Sequence, residues 1–377
     1  MMKKIKKMEK SLPSRYCAHC EASAPDGLAW RCGCGGAFEY EWRARFDPAL
    51  IRKSVWSVWR YGEMLLPSAV PDWARVSLGE GMTPLVTTDW EGAPVSFKLE
   101  YLMPTSSYKD RGSATLLSVL RAEGHTHLVE DSSGNAGASI AAYASVAGID
   151  ATIFVPAHAA AGKKAQIGAF GAKLREIEGP RQATSDACHQ AAQHTVYASH
   201  AWHPAFLLGQ TSIAWELWEQ TEGHLPDAIV AAVGQGSILL GYYRGFRALQ
   251  EAALITHMPR LIAVQARPCA PLVAAWERGA EEVQPVEEQH TIASGIRVKA
   301  PVRGRELLRA LRESNGFALA VEDHSIRQAH QKLAKAGLFV ETTSAVPLAA
   351  LPTVRKRLPQ GSKIVIPLSG SGLKEAK

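Results

Sequence analysis

One lysine stands where an unprotonated amine is favoured. Lys109 follows the residues Pro-Thr-Ser-Ser-Tyr and precedes Asp-Arg-Gly, at the predicted start of a helix. The positive end of the helix dipole opposes an ammonium charge there and favours the neutral amine. A neutral lysine amine can attack a carbonyl carbon and form a Schiff base, so the segment is a candidate nucleophilic site. On this segment alone, a surface lysine whose ammonium extends into water is an equal alternative.

Three loops of small residues each follow a predicted strand. Residues 131–137 read Asp-Ser-Ser-Gly-Asn-Ala-Gly, residues 233–238 read Val-Gly-Gln-Gly-Ser-Ile, and residues 368–373 read Leu-Ser-Gly-Ser-Gly-Leu. Backbone N–H groups at a helix N-terminus bind anions, and glycine lets the backbone approach a phosphate closely. A helix cap or a simple turn would explain any one loop by itself. Together the three loops predict a ligand with several polar ends.

Alternating strands and helices, from about residue 76 onward, must position these segments. This alternation predicts an α/β fold with parallel sheets, in which ligands bind at the carboxyl ends of the strands. The predicted strands are 95–99, 127–130, 151–156, 173–177, 228–233, 261–265 and 363–367, and the predicted helices are 110–123, 135–148, 163–170, 182–194, 210–221, 236–249, 271–278, 303–314 and 325–336.

Composition narrows the class of protein. The chain has 377 residues, of which 46% are hydrophobic, and its net charge is +6. That length predicts two or three domains, and the mild charge gives no sign of a nucleic-acid partner. Residues 1–12 include five lysines and predict a disordered basic tail. Because no apolar stretch is long enough to span a bilayer, we expect no membrane partner and a cytoplasmic location.

Four of the six cysteines lie within eighteen residues: Cys17, Cys20, Cys32 and Cys34. Clustered cysteines without a secretory signal indicate a metal site before disulfides. A tetrahedral zinc with four thiolate ligands fits, and residues 13–45 are too few to build an apolar core without such a ligand. The Cys-X-Cys half is tighter than usual, and His19 is an alternative fourth ligand. Four reduced thiols without a metal are the other interpretation.

The motifs together resemble the fold-type II pyridoxal-phosphate (PLP) enzymes, and within them the threonine synthases. Residues 104–112 are similar to the family's Pro-Thr-Gly-Ser-Phe-Lys-Asp-Arg-Gly motif, and residues 133–137 to its Ser/Thr-Gly-Asn-X-Gly/Ser loop. Residues 78–85 are similar to the Leu-Gly-Glu-Gly-X-Thr-Pro-Leu motif of threonine synthases, and residues 337–345 and 370–374 also resemble that family. The five matches occur in the family's order and span most of the chain.

The resemblance implies a fold and a division into domains. In that family, two αβα domains with parallel sheets enclose PLP in the cleft between them. We therefore expect a large PLP domain, formed by residues 46–112 and 206–377, and a small domain, formed by residues 113–205. The zinc-ribbon-like segment, residues 13–45, is expected at the N-terminal side of the large domain, after the basic tail.

The resemblance also implies the roles of individual residues. Lys109 would form the Schiff base with PLP and move protons between substrate carbons. A neutral hydroxyl at the pyridine nitrogen, from Ser369, suits elimination and replacement better than transamination. The implied cofactor-binding residues are Lys109, Asn135 at the ring hydroxyl, Gly234, Gln235, Gly236, Ser237 and Ile238 at the phosphate, and Ser369. The residues implied at the substrate carboxylate are Ser132, Ser133, Gly134, Ala136 and Gly137.

One stretch departs from threonine synthases. Their usual Asn-Ser-X-Asn-Pro-aromatic-Arg-X-X-Gly-Gln motif holds the substrate phosphate, but residues 200–210 read His-Ala-Trp-His-Pro-Ala-Phe-Leu-Leu-Gly-Gln. Phe206 stands at the arginine position, and a phosphate dianion prefers a bidentate arginine. Either His200 and His203 bind the phosphate instead, or the substrate carries none.

The leading hypothesis is a PLP-dependent lyase of amino-acid metabolism, similar to threonine synthase, that eliminates or replaces a group at the β or γ carbon. The alternatives within the class are a serine/threonine dehydratase and a β-replacement enzyme acting on a non-phosphorylated amino acid. A phosphate- or nucleotide-binding regulatory protein is the alternative from another class. The expected partner is a small amino-acid substrate, and the resemblance is compatible with a homodimer.

Overall fold

Three sheets and eleven α-helices make up the part of the chain that this computed structural model describes, residues 12–66, 70–159, 161–287 and 289–375. The predicted basic tail lies outside the described residues except for residue 12. The strands are β1 Arg15–Cys17, β2 Phe38–Tyr40, β3 Leu85–Trp90, β4 Ala93–Lys98, β5 His127–Glu130, β6 Asp150–Pro156, β7 Lys173–Ile177, β8 Val196–Tyr197, β9 Ala228–Ala232, β10 Arg260–Ala266, β11 Phe317–Val321 and β12 Ile364–Pro367. The helices are α1 Gly62–Leu65, α2 Lys109–Ala122, α3 Asn135–Ala147, α4 Ala161–Ala169, α5 Arg181–Ala191, α6 Pro204–Gln220, α7 Ser237–Glu251, α8 Pro271–Glu277, α9 Gly304–Glu313, α10 Asp323–Lys335 and α11 Val346–Arg357.

Two of the sheets are built from parallel strands. The six-stranded sheet has the order β11-β10-β9-β12-β4-β3, and only its edge strand β3 runs antiparallel to its neighbour. The four-stranded sheet has the order β7-β6-β5-β8 and is parallel throughout. An antiparallel edge strand on a parallel sheet is a common variant of this architecture. The predicted α/β fold with two parallel sheets is therefore present.

The large sheet is covered on both faces because its central strands are apolar on both faces. In β9, Ile229 and Ala231 belong to one core cluster, which also contains side chains of α7 and α9. Ala228 and Val230 belong to the other cluster, with side chains of α10 and α11. Continuous apolar strands of this kind are typical of doubly covered parallel sheets.

The two larger sheets take their strands from different stretches of the chain. All four strands of the smaller sheet lie within residues 113–205, and the strands of the six-stranded sheet lie in the two stretches predicted for the large domain. The exact boundaries stay a prediction. The third sheet, β1 with β2, is a short antiparallel pair within the zinc-ribbon-like segment.

Every strand and helix predicted from the sequence is present within a few residues, apart from the start of α6, but several elements were not predicted. Helix α6 begins at Pro204, six residues before the predicted start, with His203 as its N-cap. Strand β3 was not predicted because its apolar and polar residues do not alternate, and four of its six residues are exposed. It joins β4 through Glu91 and Gly92, both at positive φ, as a two-residue hairpin turn requires. The short strand β8, strand β11 and helix α11, which contains Pro352, were also missed.

Candidate active site

The lysine segment lies against the C-terminal loop of the large sheet. Helix α2 begins at Lys109, and the residues before it run beside the loop that follows β12. The Tyr108 N–H donates to the Ser369 carbonyl at 3.0 Å, and the Ser371 N–H donates to the Ser106 carbonyl at 3.0 Å. These bonds bring Ser369, from the far end of the chain, next to Lys109.

Asp110 holds the start of α2 in position. Its carboxylate accepts hydrogen bonds from the Thr105 N–H at 2.7 Å, from the Thr105 hydroxyl at 2.5 Å and from the Ser139 hydroxyl at 2.6 Å. Burial raises the pKa of Asp110, and the three donors oppose that rise. Because Ser139 belongs to α3, Asp110 also ties the lysine segment to the loop at residues 131–137.

A buried ion network anchors the next residue of the motif. Arg111 donates twice to Glu100, both at 2.8 Å, and lies 2.7 Å from Glu216 of α6. Glu216 also accepts a hydrogen bond from Lys98 of β4. Burial opposes charge on Glu216, but Arg111 and Lys98 outweigh it and lower the pKa to about 2. The network therefore holds the helix that carries Lys109 against the large sheet.

The Lys109 amine points toward the loop that follows β9. Its Nζ donates to the Tyr108 hydroxyl at 2.5 Å and lies 4.1 Å from the centre of that ring. The Tyr108 hydroxyl is 3.1 Å from the Ser237 hydroxyl at the start of α7. Lysine and loop are therefore joined through one tyrosine.

The loop at residues 233–238 forms a cradle of small residues. Gly236 has φ +80°, and a Cβ there would lie 2.5 Å from the Leu307 side chain of α9. A Cβ on Gly234 would lie 3.0 Å from the Ile296 Cα. Because α7 starts at Ser237, the N–H groups of its first turn have no acceptor within the helix. Such N–H groups bind phosphate.

A carboxylate links the two residues implied at the cofactor ring. Asn135 Nδ2 donates to Glu341 Oε2 at 2.8 Å, and the Ser369 hydroxyl donates to Glu341 Oε1 at 3.0 Å. The Ser369 hydroxyl also lies 3.0 Å from that of Ser344, and Lys374 donates to Asn135 Oδ1 at 3.0 Å. Glu341 thus joins the small-sheet and large-sheet sides of the site.

The loop at residues 131–137 is tight because its glycines approach the backbone. A Cβ on Gly137 would lie 1.8 Å from the Ser132 carbonyl oxygen, so no larger residue fits. The Gly134 N–H donates to the Ser132 hydroxyl at 3.3 Å. Helix α3 begins at Asn135, so free N–H groups line this loop as well.

The residues at the expected phosphate position have different environments. His200 Nδ1 is 2.7 Å from Glu130 Oε1, and Glu130 directly precedes the loop at residues 131–137. His203 Nδ1 accepts from the Ala205 N–H at 3.3 Å as the N-cap of α6, and burial lowers the pKa of His203 to about 4. Phe206 is fully buried, and its ring lies 2.7 Å from where a Gly112 Cβ would be. Phe206 therefore belongs to the core, whereas His203 is half-buried and uses its Nδ1 as a helix cap.

The sequence matches the family of pyridoxal-phosphate dependent enzymes over residues 76–370. This chain belongs to that family. Threonine synthase from Methanocaldococcus jannaschii is 32% identical over 369 residues, which cover 93% of this chain and 90% of the relative. Threonine synthase from Mycobacterium tuberculosis is 32% identical over 318 residues, which cover 81% of this chain and 85% of the relative.

Solved structures of the family share the fold. A threonine deaminase from T.th. aligns with a TM-score of 0.67 at 26% identity, covering 77% of this chain and 92% of that one. A fungal L-serine ammonia-lyase from Rhizomucor miehei aligns with a TM-score of 0.69 at 23% identity, covering 77% and 93%. The predicted family, its fold class, PLP as the cofactor and the likeness to threonine synthase are confirmed.

Reasoning from the sequence missed three residues that contact the candidate site residues. Tyr108 stands where the usual motif has phenylalanine, and the motif gives that position no role. Sequence patterns place Glu130 at the end of a predicted strand. They place Glu341 in residues 337–345, which resemble threonine synthases, without giving it a role. The signal for Glu130 was an acidic residue at the end of a buried strand, where a charge needs a partner. The role of Glu341 depends on its distance to Asn135 and Ser369, which no local pattern encodes.

The four clustered thiols come together in the N-terminal segment. The sulfur atoms of Cys17, Cys20, Cys32 and Cys34 all lie within 4.8 Å of one another. The Cys17 and Cys34 sulfurs are 3.5 Å apart, and the Cys20 and Cys32 sulfurs are 3.6 Å apart. A tetrahedron with Zn–S bonds of about 2.3 Å has sulfur–sulfur edges of about 3.8 Å. The thiols therefore have nearly the spacing of a zinc site.

The helices were also compared with the length and hydropathy of a membrane span. Within the described ranges, no helix combines the length and the hydropathy needed to cross a bilayer.

Proposed function

We propose that this enzyme is a PLP-dependent lyase of the threonine synthase type whose amino-acid substrate carries no phosphate. It would eliminate or replace a group at the β or γ carbon. The observation that carries the proposal is the position of Lys109, which is hydrogen-bonded through Tyr108 to Ser237 of the glycine loop and lies beside Ser369. Groups suited to two ends of PLP, its phosphate and its pyridine nitrogen, thus lie next to one lysine segment.

The residues of the site fit PLP. Gly234, Gln235, Gly236, Ser237 and Ile238 would hold the phosphate, Asn135 the ring hydroxyl, and Ser369 the pyridine nitrogen. The Ser107 hydroxyl, two residues before Lys109, is buried without a hydrogen-bond partner in the described part of the chain. Ser107 lies beside Gly370 of the loop that carries Ser369. An unpaired buried hydroxyl is costly, so its presence there suits a polar ligand.

When bound, PLP supplies an electron sink that stabilises negative charge on the substrate carbons. Lys109 Nζ would take the proton from the substrate α carbon and return a proton at a neighbouring carbon. The Tyr108 hydroxyl, which accepts a hydrogen bond from that Nζ, would orient it. Because the Ser369 hydroxyl has one proton, it can donate to Glu341 or to the ring nitrogen, but not to both.

The substrate carboxylate would lie on the loop at residues 131–137. Free N–H groups and the hydroxyls of Ser132 and Ser133 are the donors that a carboxylate requires. Gly134, Ala136 and Gly137 keep side chains away from these donors. The loop is tied to the lysine segment by the Ser139–Asp110 hydrogen bond, so the carboxylate and the amine would keep a fixed separation.

Within the described stretch 200–206, no side chain offers a substrate phosphate an unpaired positive charge. Phe206 is apolar and buried, and His203 is neutral at neutral pH because its pKa is about 4. His200 faces the carboxylate of Glu130, which would repel a phosphate dianion. We therefore propose that His200 lies near the substrate side chain, that His203 has a structural role, and that the leaving group is uncharged.

Cofactor attachment tests the class of enzyme. The purified protein, supplied with PLP, should show the visible absorbance of bound cofactor, and borohydride reduction should attach the cofactor to Lys109, as read by peptide mass spectrometry. Lys109→Ala should remove the attachment, whereas Lys173→Ala, on the surface of β7, should retain it. A protein that stays colourless with added PLP would refute the proposal.

A spectral titration tests the substrate. The titration should compare L-serine, L-threonine and L-homoserine, each with its O-phosphorylated form. The measurements are the cofactor absorbance and the release of ammonia or a 2-oxo acid. We expect a non-phosphorylated amino acid to give the larger response. A 2-oxo acid product would identify a dehydratase, and a new amino acid in the presence of an added nucleophile would identify a replacement enzyme. Efficient formation of threonine from O-phosphohomoserine would contradict the absence of a phosphate site.

We also propose that the four clustered cysteines bind one zinc ion. Although burial opposes charge, backbone N–H groups of Cys20 and His19 lower the pKa of Cys17 to about 7. Metal analysis should find one zinc per chain in the wild type and less in Cys20→Ser, with Ser23→Ala as the matched control. A metal-free wild-type protein purified in the presence of zinc would refute this site.

The oligomeric state is proposed as a homodimer, which light scattering on the eluted protein would test. We also retain three proposals: domain boundaries at residues 112/113 and 205/206, no nucleic-acid partner, and a cytoplasmic location. A mass of about one chain in solution would overturn the dimer.

A further inference from the structure

A cavity of about 390 Å³ lies between the zinc-ribbon-like segment and the large domain, outside the PLP site. The ribbon side contributes Tyr16, His19 and Trp42, and helices α7 and α9 form the opposite wall. Small-molecule sites usually enclose about 300–1,000 Å³, so the cavity can hold a metabolite. None of the residues implied for PLP or the amino acid lines it.

Arginine dominates the charge of this cavity. Six arginines and four glutamates line it, which leaves an excess of positive charge. Two of the glutamates are already paired: Arg244 donates to Glu306 at 2.8 and 2.9 Å and to Glu39 at 2.8 and 3.1 Å. Arg303 also pairs with Glu39 and lies 4.0 Å from Glu306, so Arg244 and Arg303 share these two carboxylates.

In the part of the chain that the structure describes, two exposed arginines of the cavity have unpaired N–H donors, whereas a third, Arg303, is already paired. Arg303 is 6% exposed and pairs with Glu39 through Nη1, while its Nη2 donates to the Phe38 and Trp202 carbonyls. Only its Nε is buried without a hydrogen-bond partner among the described residues. Arg43 and Arg309 line the same cavity, are exposed, and form no ion pair within the described ranges. Arg43 and Arg309 therefore keep their N–H donors for an anionic ligand, while Arg303 supports the wall of the cavity.

The remaining walls suit the body of a small organic molecule. Tyr16 and Trp42 present half-buried aromatic rings, and Leu208 and Ala248 present apolar surface. Arginine guanidinium groups bind carboxylate and phosphate in a bidentate way, while aromatic rings stack on planar groups. The combination favours a planar molecule that carries an oxyanion.

We propose that this cavity binds a small organic anion, a carboxylate or phosphate on a planar body, distinct from PLP and from the substrate. Arg43 and Arg309 hold the anionic group, and Tyr16 and Trp42 contact the planar body. The binding claim does not depend on the catalytic proposal, because none of these residues belongs to the PLP site.

The same wall contacts the proposed phosphate loop. The Val302 N–H donates to Gln235 Oε1 at 3.0 Å, and the Leu307 side chain packs where Gly236 has no Cβ. An anion that holds α9 in position therefore also supports the loop. This coupling rests on the proposed function, and linkage requires that PLP and the anion change each other's affinity by the same factor.

Calorimetric titration of the PLP-loaded protein tests the site. The probes are phenyl phosphate, benzoate and, as a neutral analogue, phenol. We expect saturable binding of phenyl phosphate, benzoate or both, and at least about tenfold weaker binding of phenol, because it lacks the charged contacts. Tighter binding of phenyl phosphate assigns the site to phosphates, and tighter binding of benzoate assigns it to carboxylates.

Matched variants locate the binding. The double variant Arg43→Ala/Arg309→Ala should bind the anionic probes at least about tenfold more weakly, because two charged contacts are lost. Arg327→Ala, an exposed arginine of α10 outside the cavity, should leave the affinity unchanged. Lys109→Ala should abolish covalent cofactor attachment and retain probe binding, so failure of the catalytic proposal is separable from failure of this one.

Three results would overturn the proposal. The first is the absence of saturable binding of both anionic probes, and the second is binding that the double arginine variant does not change. The third is a dimer that the double variant dissociates, since the surface would then be a subunit interface rather than a ligand site.

Discussion

Replacing one buried carboxylate should expose how much the lysine segment depends on its ion network. Glu216 is 1% exposed and accepts hydrogen bonds from Lys98 and from the N–H groups of Met82 and Thr83, the latter two at 2.8 Å. It also pairs with Arg111 at 2.7 Å. Glu216→Gln keeps the shape of the side chain but removes its charge and turns one acceptor into a donor.

The cost follows from the charges that remain. Two buried cations, Lys98 and Arg111, would share the single carboxylate of Glu100. Removing one partner of a buried ion pair costs about 3–5 kcal/mol, because the other partner stays buried and uncompensated. We therefore expect Glu216→Gln to lower the free energy of unfolding by about 3 kcal/mol or more.

The effect should depend on pH with a defined sign. The pKa of Glu216 falls from its ordinary 4.5 to about 2 in the folded protein, so the unfolded chain binds the proton more readily. Its contribution to stability is therefore present above about pH 4.5 and is lost as the pH falls toward 2. The difference between wild type and Glu216→Gln should shrink over that interval.

Urea denaturation followed by circular dichroism, at pH 7 and again at pH 4 and pH 3, measures both effects. Glu277→Gln, an exposed glutamate at the end of α8, is the matched control and should change stability by no more than about 0.5 kcal/mol. A Glu216→Gln protein as stable as the wild type at pH 7, or a difference that does not shrink at low pH, would refute the reasoning.

Three further predictions concern the site. Gly137→Ala should weaken binding of the substrate carboxylate about tenfold or more while PLP stays bound, because its Cβ would lie 1.8 Å from the Ser132 carbonyl oxygen. A spectral titration measures this. Gly162→Ala, whose Cβ would meet no atom within 4 Å, is the control. Glu341→Gln should shift the absorbance of bound PLP and weaken its affinity about fivefold, because the amide cannot accept from both Asn135 and Ser369; an unchanged spectrum and affinity would contradict a role for Glu341. His203→Ala should lower the free energy of unfolding by about 1 kcal/mol without changing the substrate KM, since the side chain caps α6. Because the pKa of His203 is about 4 in the folded protein, the wild type should lose stability as the pH falls from about 6.5 to 4, and the variant should lose less. A raised KM would instead indicate substrate contact.

Much of the site could be predicted because its parts are local. A lysine at a helix start, glycine-rich turns after apolar strands and closely spaced cysteines each depend on residues within one short segment. Apolar runs such as residues 228–232 predict parallel strands, because such strands are buried on both faces. The order of these motifs along the chain was enough to indicate the family.

Long-range contacts could not be predicted in this way. Ser369 lies beside Lys109 only because β12 sits between β9 and β4 in the large sheet. Glu341 joins Asn135 to Ser369 only when the two sheets face each other. Local patterns carry no information on either distance.

His203 illustrates the same limit from the other side. A histidine at a position matched to the family's phosphate-binding stretch suggested a ligand, and only the fold shows that its Nδ1 caps helix α6. The sequence by itself determined which chemical groups the segments carry and the turns in which they are presented, since helix dipoles and glycine conformations act over a few residues. Only the tertiary structure decided which groups meet, which are buried and which keep a free donor, because desolvation and ion pairing depend on neighbours that are far apart in the chain.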